Sequence, residues 1–213
     1  MSRVSRLKSR VSRLVSRVID NEEEEQDPIM AKVLIPLANG FEEVEAVTVI
    51  DVLRRGGVEV VTASIHDSVE VTGAHGIALK ADALFSDAVD DDYEAVLLPG
   101  GGEGTENLKR SQDVLSRLRL QKERGGLLCA ICAAPTVLEA AEVLDEGISV
   151  TCYPTCQMDL NRPWTNQPVV EHANVITAQG PGTSLLFGLV VLKALTDEAV
   201  AQKVARGMVA DCF

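Results

Sequence analysis

Gly125-Gly126-Leu127-Leu128-Cys129-Ala130-Ile131-Cys132-Ala133-Ala134-Pro135-Thr136 decides how this chain folds. Two glycines open the stretch and an apolar run of strand length follows. Beyond Pro135 the pattern changes, with no polar loop between, to the helical spacing of Val137-Leu138-Glu139-Ala140-Ala141-Glu142-Val143-Leu144. This predicts a buried strand that turns sharply into a helix, with Cys132 at the turn. Pro135 suits the first helical turn, where its missing N–H is no loss. A sulfur placed there meets the free N–H groups and the positive end of the helix, both of which favour thiolate. From an ordinary ~8.5, the pKa of such thiols falls to roughly 3.5–7.5. Cys132 is therefore the candidate nucleophile, and the expected fold is one that holds it.

Outward from this elbow the chain keeps an α/β rhythm. Lys32 to Leu37 reads as a strand, Ala38-Asn39-Gly40-Phe41 as a turn and Glu42 to Arg55 as a helix. Ala46, Val49, Ile50 and Leu53 give that helix an apolar stripe, and Gly56-Gly57 stops it. Val58 to Ile65 is a second strand, and Val69 to Leu79 a small hairpin. The strand Glu94 to Leu98 ends in Pro99-Gly100-Gly101-Gly102-Glu103-Gly104. No Gly-Lys-Ser/Thr follows and GxGxxG spacing is absent, so phosphate cradling is not indicated. The loop reads instead as close backbone approach, with bare N–H groups turned to a neighbouring site. A helix from Ser111 to Arg124 leads into the elbow. After it come a strand at Ile148 to Cys152, a pair at Val169-Val170 and Val175 to Ala178, and helices over Leu185 to Leu195 and Asp197 to Val209.

The 213 residues suffice for one α/β domain with a full core and are short for two. Hydrophobic residues make up 46% but aromatics only 3%, so the core must be aliphatic, as in a parallel sheet covered by helices. The formal charge of −12 argues against nucleic acid and anionic membrane as partners. No apolar run approaches the ~20 residues of a membrane span. Five cysteines, an odd number in a chain that is not small, suit a reducing compartment, and the expected location is cytoplasmic.

Residues 1–29 differ from the rest. The basic residues are Arg3, Arg6, Lys8, Arg10, Arg13 and Arg17; the arginines share one helical face and Val4, Leu7, Val11, Leu14, Val15 and Val18 another. The acidic run Glu22-Glu23-Glu24-Glu25-Gln26-Asp27 ends at Pro28 and reads as a solvated linker. Six basic and six acidic residues cancel in this leader, so the net charge belongs to residues 30–213. The leader is read as lying outside the fold: an appended start, an organelle presequence or a partner-binding helix. Met30 would make a natural beginning for the domain.

Four stretches resemble the DJ-1-like branch of the ThiJ/PfpI superfamily. They are Gly40-Phe41-Glu42-Glu43-Val44-Glu45-Ala46-Val47, Leu98-Pro99-Gly100-Gly101, Ala130-Ile131-Cys132-Ala133-Ala134-Pro135-Thr136 and Gln179-Gly180-Pro181-Gly182-Thr183-Ser184. The resemblance covers about residues 31–213. It implies a flavodoxin-like, doubly wound α/β sandwich of the class I glutamine amidotransferase type, usually a homodimer, with a reactive Cys132 partnered by Glu45. A carboxyl kept neutral beside a thiolate can donate a hydrogen bond that an ionised one cannot. The N–H groups of Gly101 and Ala133 match the family's oxyanion donors, and Gly100, Tyr153 and His75 are further candidates to line the substrate pocket. There are departures. Tyr153-Pro154 stands where many members have histidine before proline, His75 where some carry arginine, and Ala133 where the protease-like branch has histidine.

Cys129-x-x-Cys132 with Cys152-x3-Cys156 also has the outline of a redox pair or a zinc site. Cys129 lies within the apolar strand, however, and three residues along a strand put two side chains on opposite faces. No metal is expected. The function read from the resemblance is a cofactor-free glyoxalase or deglycase that takes a small dicarbonyl, or an early glycation adduct, at Cys132. The alternative is an oxidative-stress sensor or redox-regulated chaperone using the same sulfur. A third reading, a cysteine peptidase or amidase, lacks a histidine at a matched position.

Overall fold

The computed structural model describes residues 30–210; the leader and Cys212 lie outside them. In chain order the elements are β1 (Lys32–Leu37), α1 (Glu43–Arg55), β2 (Glu59–Ser64), β3 (Glu70–Thr72), β4 (Ala78–Lys80), β5 (Ala83–Leu84), α2 (Phe85–Ala88), β6 (Ala95–Leu98), α3 (Gly102–Arg110) and α4 (Gln112–Glu123). Then follow β7 (Leu127–Ile131), α5 (Pro135–Ala140), a 3₁₀ turn at Pro154–Asp159, β8 (Val169–His172), β9 (Val175–Ala178), α6 (Ser184–Leu195) and α7 (Glu198–Gly207). No helix among the described residues is long and apolar enough to cross a membrane.

Seven strands form one sheet in the order β5-β2-β1-β6-β7-β9-β8. All neighbours pair parallel except β8, which runs against β9; β3 and β4 form a separate hairpin. The fold is the doubly wound α/β arrangement expected of alternating strands and helices. The order runs outward in both directions from the β1/β6 boundary, the place where parallel sheets open a crevice at their carboxyl ends. The loops after β1, β6 and β7 carry Phe41-Glu42, Gly100-Gly101 and Cys132, and all emerge at that end.

Alternation along the strands feeds two apolar layers. Val33, Ile35, Leu37 and Leu97 pack with α1, α6 and α7 through Val49, Leu53, Phe187 and Val204. Leu34, Val96, Leu98 and Leu128 pack on the other face with α3, α4 and α5 through Leu108, Leu118 and Val137. Covering a sheet on both sides is what lets strands as apolar as Leu127–Ile131 exist without an exposed face.

Three expectations need correction. Ile148 to Cys152 is not a strand of the sheet: Val150 makes an isolated bridge to Trp164. β9 already has β7 and β8 on its two edges, so no edge remains there for this segment. The Gly-rich segment after β6 is not all loop, because α3 begins at Gly102. Glycine is a poor helix former, but a Cβ on Gly104 would come within 2.7 Å of the Phe41 nitrogen, so close packing on the Gly40-Phe41 turn demands it. The helix after the elbow is also short. Glu142 adopts φ 59, and Val143 N–H bonds the Leu138 carbonyl while Glu142 N–H bonds that of Glu139. This pattern ends a helix at Ala140, with glutamate where glycine is usual.

Candidate active site

Cys132 leaves β7 at φ 63, a left-handed conformation that costs a residue with a side chain about 1–3 kcal/mol. Tertiary bonds hold it there. Its N–H donates to the Ala178 carbonyl on β9 at 2.9 Å, and its carbonyl accepts from Tyr153 N–H at 2.7 Å. A strained strand-to-helix elbow of this kind lifts a nucleophile out of the sheet toward a neighbouring crevice. The bend also breaks the two-residue period. Cys129 and Cys132 therefore pack in the same apolar layer, not on opposite faces. The four described cysteines are free thiols.

Glu45 reaches the sulfur from α1. The carboxylate of Glu42 caps that helix by accepting the Glu45 N–H at 2.7 Å, and Glu45 turns inward with no solvent exposure. Its Oε2 accepts the Gly100 N–H at 2.7 Å, and its Oε1 is buried without an oxygen or nitrogen partner. The carboxyl lies within hydrogen-bonding reach of the Cys132 sulfur, which also faces the main-chain N–H groups of Gly101 and Ala133. Gly100 fits between the two: a Cβ there would fall 2.6 Å from Cys132 Cβ and 2.7 Å from Glu45 Oε2. Its N–H is spent on Glu45, which leaves Gly101 and Ala133 as the donors to sulfur.

Burial pushes Glu45 up to about 7, against the pull of Cys132 and of the Gly100 N–H. Burial, and then the charge of Glu45, push the Cys132 thiol up to about 12, while the N–H groups of Gly101 and Ala133 pull it down. Helix-end donors alone favour thiolate; against them stands the larger cost of charging a sulfur that is removed from water and beside a second acid. The two groups compete for one proton. When Glu45 holds it, the repulsion disappears and the two N–H donors act on the sulfur unopposed by a neighbouring charge.

Tyr153 is half-exposed and anchored on the Cys132 carbonyl. Its ring flanks Gly180, where a Cβ would lie 3.4 Å from the ring and 4.0 Å from Cys132 Sγ. Gly180 is thus a wall of the site, and its glycine within Gln179-Gly180-Pro181-Gly182 is the signal for it in the sequence. His75 is placed elsewhere: its N–H and ring Nδ1 lie 2.6 and 2.7 Å from the two oxygens of Glu43, and its side chain is 70% exposed. Oxygen and nitrogen atoms of Glu42, Glu43 and His75 lie within 4.8 Å of one another. As they stand, these atoms are engaged with each other and with main-chain N–H groups. His66 accepts from Asn39 N–H and His172 from Ser149 N–H, so none of the three histidines pairs with Cys132.

The DJ-1/PfpI family profile matches residues 31–194. The chain is 38% identical over 187 residues to Protein DJ-1alpha of Drosophila melanogaster, covering 86% of each. It is 33% identical over 168 residues to the Glutathione-independent glyoxalase DJR-1.2 of Caenorhabditis elegans, covering 78% of this chain and 88% of that one. Protein DJ-1 homolog B of Arabidopsis thaliana is 38% identical over 180 residues, or 84% of this chain, but the match spans only 41% of that longer protein. An oxidized DJ-1 of Toxoplasma gondii superposes with a TM-score of 0.82 at 34% identity, over 85% of this chain and 99% of the other. The matched range spans the elbow, the Gly100-Gly101 loop and the Glu45 helix, and the chain belongs to the DJ-1/PfpI family.

Proposed function

We propose that this chain is a cofactor-independent glyoxalase that converts methylglyoxal-type dicarbonyls to hydroxy acids at Cys132, with deglycase activity on early glycation adducts as the same chemistry on a larger substrate. One observation carries the reading: a buried carboxyl with an unpartnered oxygen lies against a sulfur that faces two main-chain N–H donors. The relative named as a glutathione-independent glyoxalase supports the choice of reaction.

In this reading the Cys132 thiolate adds to the aldehyde carbon, and the Gly101 and Ala133 N–H groups bind the developing oxyanion. Glu45 delivers its proton to that oxygen, giving a hemithioacetal. Its carboxylate then removes the hydrogen from the same carbon and returns a proton to the adjacent one, through an enediol. The product is a thioester of the hydroxy acid, and water releases the acid and restores the thiol. One water enters, and one carbon is oxidised as its neighbour is reduced, so no external electron carrier is needed. Gly180 and Tyr153 bound the space the dicarbonyl would occupy. The working form is proposed as a homodimer, for which Val44 and Val47 offer an exposed apolar row on α1. Purified protein is expected to form lactate from methylglyoxal, and Cys132→Ser to form none. Equal lactate from both proteins overturns the reading.

A second reading, oxidation of Cys132 to a sulfinate in a stress sensor, is favoured by the oxidized state of the Toxoplasma gondii relative and by the same two N–H donors. Mild peroxide should then add two oxygens confined to Cys132, and no gain removes it. The peptidase reading is dropped, because every histidine of the chain is engaged away from the sulfur.

A further inference from the structure

We propose that Cys152 and Cys156 form a second redox site, a dithiol that closes to an intramolecular disulfide on reaction with a hydroperoxide. The two residues converge on one atom, the Tyr153 carbonyl oxygen. The Cys152 S–H donates to it at 3.3 Å and the Cys156 main-chain N–H at 2.8 Å. The 3₁₀ turn that begins at Pro154 folds the chain back so that residues four apart share that acceptor. Burial, and then the charge of the nearby Cys156, push the Cys152 thiol up.

Their surroundings differ in the way a peroxide-reactive thiol and a resolving thiol must differ. Cys156 is partly exposed and can meet a small oxidant, whereas Cys152 has no solvent exposure. The indole N–H of Trp164 is a buried donor without a hydrogen-bond acceptor, and it acts on the Cys152 thiol, pulling it down against burial. That donor is suited to the negative charge the sulfur acquires as it attacks. Neither thiol takes part in the chemistry assigned to Cys132, and this site stands whether or not the glyoxalase reading does. It flanks Tyr153, whose N–H anchors the Cys132 carbonyl.

The balance is simple. The Cys156 sulfur takes the terminal oxygen of the hydroperoxide, giving a sulfenic acid and releasing an alcohol, or water from hydrogen peroxide. The Cys152 sulfur then attacks the Cys156 sulfur. The S–O bond breaks, the S–S bond forms, and hydroxide leaves as water with the Cys152 proton. Two thiols lose two hydrogens and one peroxide is reduced.

The test uses the full chain carrying Cys132→Ser, treated with equimolar hydrogen peroxide. Expected are a single chain lighter by two hydrogens, a peptide map joining Cys152 to Cys156, and full return of the mass with a thiol reductant. The chain's single tryptophan, Trp164, should lose fluorescence as the disulfide closes beside it and regain it on reduction. Adding Cys156→Ser should abolish both changes, and this partly exposed position leaves the core intact. Oxygen retained at Cys156 with Cys152 still open to alkylation after unfolding overturns the proposal. So does a map joining either sulfur to a different cysteine, or a chain whose two thiols both survive the peroxide.

Discussion

Glu43 and Glu45 sit two residues apart in the first turn of α1, and both are buried, yet their acidities move in opposite directions. Glu43 faces the His75 corner, where hydrogen bonds from the His75 ring, His75 N–H and Ile77 N–H outweigh its desolvation and hold its carboxyl at about 2. Glu45 faces the elbow, where one N–H and a sulfur are all that oppose burial, and its carboxyl rises to about 7. Burial alone therefore does not decide the charge of a carboxyl; the donors supplied to it do. The first corner is an ion pair of structural type wherever His75 is protonated. The second is a place where a proton is poised between two acids.

The strongest way to break this contrast is to remove the titration at one corner. Glu45→Gln keeps the shape and the Gly100 contact but cannot pass a proton, and lactate formation should fall by about 10²–10⁴-fold, the usual worth of a positioned acid–base group. Glu43→Gln should leave turnover close to that of the wild type, since Glu43 touches neither the sulfur nor its donors.

Stability against pH sharpens the contrast. The folded pKa of Glu45 lies above its ordinary 4.5, at about 7. The folded state then binds the extra proton, and stability falls as pH rises from 4.5 through about 7, by something on the order of 3 kcal/mol. Chemical unfolding of Glu45→Gln across this range should show that slope removed.

Packing comes next. Gly100→Ala would force a methyl within 2.6 Å of Cys132 Cβ and 2.7 Å of Glu45 Oε2, and should destabilise by about 1–3 kcal/mol while dislodging the pair. The smallest effect belongs to Glu43. Its lowered pKa means stability present above pH 4.5 and lost as pH falls toward about 2. With His75 mostly exposed, the contribution is roughly 0–1 kcal/mol. Glu43→Gln should flatten only this acid arm of the unfolding profile.

Much of the frame was legible because apolar runs and glycine stops are local signals. Lys32–Leu37 is a strand with the bounds expected, and the passage from Leu127–Ile131 to Pro135 placed the elbow at Cys132 without any loop to blur it. What failed depended on partners distant in sequence. Ile148 to Cys152 has strand composition but pairs only through an isolated bridge from Val150 to Trp164, and the helix from Gly102 keeps glycine at 104 because the Phe41 turn packs against it. Glu142 ends its helix in a conformation that its residue type does not announce. At the site, Glu45 was found by resemblance, since a first-turn glutamate is ordinarily solvated. The direction of the Cys132 shift was missed because desolvation and a second acid are tertiary facts, whereas helix-end donors can be read from order alone.

The most direct test of the shared proton is the rate of Cys132 alkylation as a function of pH, in wild type and in Glu45→Gln. If one proton leaves the pair near pH 7 and the remaining one is divided between sulfur and carboxyl, the wild-type rate rises with an inflection near 7 to a plateau. In Glu45→Gln that neutral inflection should vanish, and above pH 7 the rate should keep rising and exceed that of the wild type, because the charge of Glu45 no longer opposes the thiolate. Identical titration curves in the two proteins would contradict the account.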